Sequence, residues 1–340
     1  MLPHQWILSL LPSASRLNIT IYQPNTPLAP SPLPPPGASS ACDEIVAQFI
    51  VLSRSTKWNI VDKVPFEGDT FEPEGLVRLG SDLYMVSAGE YMERTVKYSP
   101  DGGTWIDGTD RSAGAGFAHM MVFDGRGRRI ADASISEAGS LEYHNGGIEY
   151  DGTHLWATLS QYRPNTTGTL VRMDPGRLEP EVVLKVADHQ GGVVRDSFGG
   201  GLLTTFNWGS REASLWPQVH SLGASPKFST PLATVRNPAH YVDYQDCKHL
   251  GRPRYYGNVS VMICSGIANL GEGVSIGGLA LVEMHTMRPL YEVPMMMTSD
   301  LGALITKNPM DVALVDGKMR FYFLPDERNS TLYIYEAAWV

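Results

Sequence analysis

Three histidines lie in copies of one short phrase, and imidazole is the side chain best suited to moving protons near neutral pH. The segments His144-Asn145-Gly146-Gly147 and His189-Gln190-Gly191-Gly192 share the order histidine, amide, glycine, glycine. His240 lies in a looser copy. We therefore predict His144, His189 and His240 as candidate catalytic residues for proton transfer.

Three arginines, Arg94, Arg163 and Arg211, lie in the segments that follow the second strand-like run of a copy. A guanidinium group donates several hydrogen bonds and stabilises negative charge that develops on a ligand oxygen. We predict that one of these arginines polarises a substrate oxygen, so they complete the set of candidate catalytic residues.

Acidic, amide and aromatic side chains near the same copies are candidate substrate contacts, because ligand sites combine a few placed polar groups with apolar walls. They are Glu72, Glu74, Asn145, Gln190, Trp156, Tyr162, Trp208, Asn308 and Asp311. Acids and amides are also Ca²⁺ ligands, but we predict neither a metal nor a cofactor. Each polar group has a structural alternative, because the starts of strands need partners for buried backbone amides.

The phrase recurs five times, which indicates a repeat architecture. The copies begin near Glu72, Asn145, Gln190, Ala239 and Pro309, and they are followed by series of strand-like runs. Four antiparallel strands repeated in series are typical of an all-β fold, the β-propeller. Two intervals between copies exceed the usual ~40–50 residues of a blade. We predict five blades and keep six as the alternative.

The last copy supplies only three strands before the chain ends. The run Trp58–Phe66 has no hairpin partner of its own and provides the missing outer strand. This pairing would close the ring and remove an open sheet edge. In such a ring, the loops that enter the first strand and those between the second and third strands meet at one face. We therefore expect the candidate residues to converge at the mouth of a central channel.

The N-terminal region differs from the rest of the chain. It contains a short apolar run, Trp6–Leu11, and many prolines, which favour extended structure and are excluded from sheet interiors. We predict a disordered or targeting segment over residues 1–45 and a single propeller domain over 46–340. No run of ~20 apolar residues occurs, so no transmembrane helix is predicted.

Charge and cysteine usage restrict the partners and the compartment. The formal net charge is -9, which argues against nucleic acid, since phosphate binding needs clustered Lys and Arg. Cys247 and Cys264 end consecutive strand-like runs and are predicted to form a disulfide. The sequons at Asn165, Asn258 and Asn329 predict N-glycosylation, which favours the secretory pathway or secretion.

Three stretches, within Phe71–Gly80, His144–Trp156 and Asp188–Arg211, carry a resemblance to a known family. From about Trp58 onward, the chain resembles a fungal family of secreted-type propeller proteins, some of whose members resemble the hetero-Diels–Alderases of tropolone-sesquiterpenoid (meroterpenoid) biosynthesis. The resemblance implies a cofactor-free pericyclase. Such an enzyme would join a tropolone quinone methide to an alkene of a humulene-type terpene, so its substrates would be small polyketide- and terpene-derived molecules.

Two other classes of function stay open. A propeller hydrolase or lactonase, with or without a metal, would use the same acids and histidines. A non-catalytic propeller would bind a small molecule at the channel mouth. The sequence contains no His-Glu-x-x-His zinc motif, so a zincin-type metalloprotease is not indicated.

Overall fold

Five antiparallel sheets make up the chain in a computed structural model, which describes residues 18–100, 102–196, 198, 201–217 and 228–338. The sheets are the blades of a β-propeller, so the five-bladed prediction is confirmed and the six-bladed alternative is wrong. Over the described residues, helix is limited to one α-helix and three short 3-10 turns.

The N-terminal elements are β1 (Ile19–Ile21), α1 (Cys42–Phe49) and β2 (Lys57–Pro65). Blade 1 contains β3 (Glu72–Leu79), β4 (Leu83–Glu93), β5 (Ala115–Asp124) and β6 (Arg129–Ser134). Blade 2 contains β7 (His144–Asn145), β8 (Glu149–Tyr150), β9 (Leu155–Ser160), β10 (Gly168–Met173) and β11 (Glu181–Val186). Blade 3 contains β12 (Gly192–Arg195), β13 (Leu203–Phe206), β14 (Glu212–Trp216) and β15 (Ala233–Arg236).

Blade 4 contains β16 (Asp243–Gly251), β17 (Val261–Gly271), β18 (Val274–Glu283) and β19 (Pro289–Pro294). Blade 5 contains β20 (Met310–Val315), β21 (Lys318–Phe323) and β22 (Thr331–Ala338). The first strand of each blade faces the central axis. All six residues of β9 are buried, because both faces of a blade pack against neighbouring blades.

The ring closes between the two ends of the chain. β2 pairs antiparallel with β22, from Lys57 opposite Ala338 to Pro65 opposite Thr331. An N-terminal strand therefore completes blade 5, and the predicted closure is confirmed.

The glycine pairs of the repeated phrase allow inner strands of adjacent blades to touch. A Cβ added at Gly146 would lie 2.2 Å from the carbonyl oxygen of Gly191. The N–H of Gly147 donates to the same oxygen at 2.9 Å. Gly147 and Gly192 form a parallel bridge between blades 2 and 3. The glycines of the phrase therefore serve the packing of blades, since a side chain at Gly146 would overlap the next blade.

Residues 18–45 pack on the propeller, which corrects the prediction of a disordered segment for this part of the chain. β1 pairs with β6 as a fifth strand of blade 1. The carbonyl oxygen of Pro34 accepts a hydrogen bond from the Tyr150 hydroxyl at 2.8 Å. Ile45 of α1 belongs to the hydrophobic core that contains Phe321 of blade 5. The prolines thus follow the surface of the ring rather than a sheet interior. Residues 1–17, with the predicted targeting segment, lie outside the described residues.

The axis of the ring is filled by a buried ion pair. Lys248 Nζ lies 2.6 Å from Asp246 Oδ1 and donates to the carbonyl oxygen of Ile148 at 2.8 Å. Asp246 Oδ2 accepts from the backbone N–H of Leu76 at 3.3 Å and of Met310 at 3.2 Å. The pair therefore ties blades 1, 2, 4 and 5 together at the centre of the fold.

The structure joins Cys247 to Cys264, the pair predicted from the sequence, across the register of β16 and β17. Cys42 is the free cysteine of the described chain. Among the described residues, no helix has the length and apolar character needed to cross a membrane.

Candidate functional site

Five side chains with acid–base chemistry meet at one end of the channel. Glu72 and Glu74 come from β3, and His144 comes from β7. Tyr162 lies in the β9–β10 loop, and His189 lies just before β12. The loops of neighbouring blades bring them together because each inner strand begins at this face. We call these five residues the mouth cluster.

Tyr162 connects the members of the mouth cluster. Its hydroxyl donates to Glu72 Oε1 at 3.2 Å, and its ring centroid lies 5.0 Å from that of His144. The imidazole centroids of His144 and His189 are 5.1 Å apart. Glu74 Oε1 lies 3.8 Å from His144 Nε2. Two carboxyls, two imidazoles and a phenol therefore share one small region.

The hydrogen bonds of the two imidazoles define where protons can be exchanged. His189 Nδ1 lies 2.7 Å from the carbonyl oxygen of Gln161. A carbonyl only accepts, so Nδ1 carries the proton and Nε2 carries the lone pair. His144 Nδ1 is buried and has no hydrogen-bond partner among the described residues. A buried ring nitrogen in this state is a natural contact for a ligand or a water molecule.

Burial sets the protonation states of the mouth cluster. Burial, followed by the neighbouring His189, holds the pKa of His144 well below its usual value, and burial lowers the pKa of His189 to about 4. Burial and the charge of Glu327 raise the pKa of Glu72 to about 7. Burial and the charge of Glu72 raise the pKa of Glu74 well above its usual value. These shifts favour the protonated form of Glu74 and the neutral forms of His144 and His189.

Aromatic rings form the walls of the site. Trp208 belongs to a 3-10 turn after β13, and its ring lies 5.4 Å from Tyr162 and 4.9 Å from His189. Tyr91, near the end of β4, lies 6.1 Å from Tyr162 and 5.5 Å from Tyr143. These rings reduce contact with water and strengthen the electrostatic interactions among the polar groups.

Arg111 also lies at this site, and it is not among the residues predicted from the sequence. Its guanidinium carbon lies 4.6 Å from the ring centroid of Trp208 and 5.9 Å from that of Tyr162. Arg94, the arginine that was predicted from the same β4–β5 loop, is exposed and lies 4.7 Å from the Tyr91 ring. The sequence could have indicated Arg111, because it is a second arginine in the loop that contains Arg94.

His240 and Arg211 form a separate group near the surface. Arg211 Nη2 lies 2.7 Å from Asp243 Oδ1, and Arg211 Nη1 lies 3.4 Å from His240 Nδ1. The contacts among the described residues do not join His240 to His144 or His189. The structure thus brings two of the three predicted histidines together and corrects the placement of the third.

Arg163 and Trp156 also have partners outside the mouth cluster. Arg163 donates to Gln161 Oε1 through Nε at 2.9 Å and Nη2 at 2.7 Å. Trp156 is buried in the core between blades 2 and 3, and its indole N–H donates to Asp151 Oδ2 at 2.7 Å. Trp156 is therefore a core residue, which corrects its prediction as a wall of the substrate site.

The predicted amide contacts are buried at the inner edges of the blades. Asn145 Nδ2 donates to the carbonyl oxygen of His119 in blade 1 at 2.7 Å. Gln190 Nε2 donates to the carbonyl oxygen of His189 at 2.8 Å. Asn308 is buried just before β20, and its Nδ2 has no partner within the described part of the chain. Asn145 and Gln190 thus have structural bonds as well as a position beside the histidines.

Asp311 lies at the opposite end of the channel from the mouth cluster, which corrects its prediction as a substrate contact there. Its carboxylate accepts from the backbone N–H of Arg78 at 2.7 Å and of Val312 at 2.7 Å. The segment Pro36–Ala38 faces this end of the channel beside Asp311 and Lys248. Asp311 therefore stabilises the ring beneath the N-terminal segment.

Three further features of the molecule bear on metal binding, ligand binding and glycosylation. Within the described ranges, no group of three or more His, Cys, Asp and Glu side chains could hold a metal ion. A groove of about 580 Å³ lies between the segment that follows β6 and blade 2, and it is lined by Ile135–Gly139 and by Val171. It contains none of the predicted site residues. The predicted glycosylation sites Asn165, Asn258 and Asn329 are all exposed.

The comparisons with known proteins identify a family. A family model described as "Family of unknown function (DUF6454)" matches residues 33–340, so the chain belongs to that family. No curated protein matches the sequence.

Several solved structures are similar to this chain, at low identity and with TM-scores below 0.5. A hypothetical protein from Leishmania major is 8% identical, with a TM-score of 0.44 over 81% of this chain and 90% of that chain. An exo-beta-1,3-galactanase from Clostridium thermocellum is 9% identical, with a TM-score of 0.43 over 83% and 63%. A sialidase from Trypanosoma rangeli is 12% identical, with a TM-score of 0.42 over 84% and 60%. At this distance, the likeness carries no argument about activity, and neither it nor the family match supports the hetero-Diels–Alderase subgroup.

Proposed function

We propose that this member of the DUF6454 family is an acid–base enzyme that acts on a small oxygenated organic molecule at the channel mouth. The observation that carries the proposal is the pair Glu74 and His144, whose Oε1 and Nε2 atoms lie 3.8 Å apart. Burial disfavours the charged form of both groups, since it raises the pKa of Glu74 and lowers the pKa of His144. A protonated carboxyl and a free imidazole are the two partners that general acid–base catalysis needs.

The structural alternative for this pair is weak. A buried polar group stabilises a fold when it is hydrogen-bonded and costs free energy when it is not. The separation of 3.8 Å between Glu74 and His144 is too long for a hydrogen bond, and His144 Nδ1 has no partner among the described residues. Titratable groups held in this way concentrate at functional sites.

The remaining members have supporting roles in this proposal. The Tyr162 hydroxyl positions the Glu72 carboxyl, because it donates to Glu72 Oε1. The rings of Tyr91, Tyr143 and Trp208 exclude water and would hold an apolar or conjugated ligand against the acid and the base. Holding reactants in a reactive geometry lowers a barrier without any further chemical group.

The reaction we favour is the one implied by the resemblance, a dehydration followed by a hetero-Diels–Alder addition. Glu74 protonates the leaving hydroxyl, and the C–O bond breaks to release water. The ring hydroxyl gives its proton to His144, which leaves a neutral quinone methide. The terpene alkene then adds across this heterodiene, so that one C–C bond and one C–O bond form. Proton return from His144 to Glu74 resets the site, and no oxidant, reductant or cofactor is consumed.

The test is turnover of a hydroxymethyl tropolone with a humulene-type alkene, followed by chiral chromatography and mass spectrometry. The wild-type protein should accelerate adduct formation and give one stereoisomer. Glu74→Gln and His144→Gln should each reduce the rate about 10²-fold. The controls Glu179→Gln and His154→Gln change groups outside the site and should not alter the rate. A wild-type rate equal to that in buffer contradicts the pericyclase, and unchanged rates in both site variants contradict the acid–base roles.

A hydrolase is the second candidate, and the observation that favours it is the presence of two carboxyls, Glu72 and Glu74, on one strand at the mouth. Hydrolases of glycosides use such a pair as acid and base or nucleophile. A serine mechanism is not favoured: Gly273–Gly277 fits the Gly-x-Ser-x-Gly pattern, but Ser275 lies on β18 and not at a strand-to-helix turn. Release of nitrophenol from aryl glycosides, or opening of lactones, with and without a chelator tests this candidate. Ligand binding without turnover of any of these substrates would instead indicate a binding module.

A further inference from the structure

We infer that Arg111 binds an anionic oxygen of the ligand, so that the mouth takes an organic anion such as a carboxylate or an enolate. The inference rests on the proposed location of the site and deepens it, because it names the ligand class. It concerns a residue that none of the predicted roles includes. The neighbours of the guanidinium group hold it in place and leave some of its N–H groups for a ligand.

Two aromatic rings fix the plane of the Arg111 side chain. The guanidinium carbon lies over Trp208 at 4.6 Å and near Tyr162 at 5.9 Å. The side chain is only 13% exposed. Stacking on aromatic faces orients an arginine without using its N–H donors, which remain in the plane of the group.

Asp110 fixes the remaining freedom of the side chain. Arg111 Nε donates to Asp110 Oδ1 at 2.8 Å, and Nη2 donates to Asp110 Oδ2 at 2.9 Å. A guanidinium group carries five N–H bonds, and none of the hydrogen bonds found among the described residues uses Nη1 of Arg111. The Asp110 carboxylate therefore orients the group from one edge and leaves another edge for a ligand oxygen.

The backbone around Arg111 is also held. Lys97 and Arg111 form an antiparallel bridge across the β4–β5 loop. The side chain of Asn165 in blade 2 donates to the carbonyl oxygen of Gly108 at 2.9 Å. The loop is therefore attached to the neighbouring blade, so Arg111 has a fixed position relative to Tyr162.

The other arginines of this face do not offer the same arrangement. Arg163 uses Nε and Nη2 on Gln161. Arg211 bonds Asp243 and the carbonyl oxygen of Ala239, and Arg94 is exposed. Among these arginines, Arg111 is the one that is stacked on Trp208 and Tyr162, next to the mouth cluster, and is also held by a carboxylate.

The test uses benzoate and its neutral analogue benzamide as probes on the full chain. Binding is followed by the ¹⁹F resonance of 5-fluorotryptophan at Trp208, assigned with Trp208→Phe. The wild-type protein should bind benzoate at least about tenfold more tightly than benzamide, since hydrogen bonds to a charged group are stronger than neutral ones. Arg111→Gln should bring the two affinities together, and Arg111→Lys should keep part of the preference.

Arg177→Gln, which changes an exposed arginine on the opposite face, is the matched control and should keep the full preference. Three outcomes would each overturn the inference. The wild type could bind both probes equally, or Arg111→Gln could retain the preference. The third is that neither probe shows measurable binding up to its solubility limit. Glu74→Gln should retain the preference for benzoate. If turnover fails while this preference holds, the proposed reaction is wrong and the ligand class stands. If the preference fails while turnover holds, the ligand class is wrong and the proposed reaction stands.

Discussion

Glu74 and His144 come from adjacent blades, and Glu74 Oε1 lies 3.8 Å from His144 Nε2 without a hydrogen bond between them. The fold creates this pair because β3 and β7 both begin at the channel mouth. Burial disfavours the charged form of each partner, so it raises the pKa of the acid and lowers that of the base. Proximity alone would instead favour an ion pair, and the depth of burial decides between the two states.

The activity should depend on pH in a direction set by these shifts. The acid must be protonated, so the rate should fall at alkaline pH as Glu74 loses its proton. The base must be neutral, and the lowered pKa of His144 should keep the rate high below the usual imidazole range. The profile of kcat/KM against pH measures both limbs. An acid limb at the usual imidazole pKa would contradict the role of His144, and an unchanged alkaline limb in Glu74→Gln would contradict that of Glu74.

Stability should also depend on pH through Glu72, whose folded-state pKa is about 7. The folded chain holds a proton on this carboxyl that the unfolded chain releases near its usual pKa. The free energy of unfolding should therefore fall as pH rises through the interval between these two values, and the loss is complete above about pH 7. Glu72→Gln should remove this part of the slope and be more stable than wild type by on the order of 1–3 kcal/mol at about pH 8. Urea unfolding at about pH 5 and about pH 8 measures this difference in the free energy of unfolding, with Glu179→Gln as control. The same change of unfolding free energy with pH in wild type and in Glu72→Gln would refute the pKa shift.

The sequence predicted the ring because its signals are local and repeated. A polar residue, a turn and two strands recur in each blade, and the strand Trp58–Phe66 lacks a local partner, so the count and the closure follow from the pattern. The convergence of Glu74, His144 and His189 follows from the same reasoning, because each stands at the start of an inner strand. The pairing of Cys247 with Cys264 follows from two consecutive strands.

The errors concern side-chain direction and contacts distant in sequence. Asp311 lies only a few residues beyond the mouth, but a short inner strand carries it to the opposite end of the channel. Trp156 was predicted to line the site because its strand follows His144, whereas its side chain packs between blades 2 and 3. Arg111 reaches the site through a loop that Asn165 of another blade holds. No repeat in the sequence predicts these contacts. The packing of the prolines near Pro34 on the ring is likewise not marked by any repeat.

The central ion pair should make a large contribution to stability. Lys248→Met would leave the buried Asp246 carboxylate without its cation, although burial already raises the pKa of Asp246 to about 7. We expect a loss of about 3–5 kcal/mol in the free energy of unfolding. The double variant Lys248→Met, Asp246→Asn should lose less than the sum of the two single changes, because it leaves no charge unpaired. Chemical denaturation of the four proteins measures the coupling, and strictly additive losses would show that the pair does not interact.

The glycines of the repeated phrase should differ sharply in their tolerance of a side chain. A Cβ at Gly146 would meet the Gly191 carbonyl oxygen at 2.2 Å, whereas a Cβ at Gly192 would meet nothing closer than 3.6 Å. Both positions lie at the contact between blades 2 and 3, so they form a matched pair. Gly146→Ala should lose about 3 kcal/mol or fail to fold, because backbone cannot yield as a side-chain tip does. Gly192→Ala should remain within about 1 kcal/mol of wild type. Thermal and urea unfolding of the two variants give the comparison. Equal stability would show that the blades can separate here without cost, and the glycines would then have to be explained by ligand contact at the mouth rather than by packing.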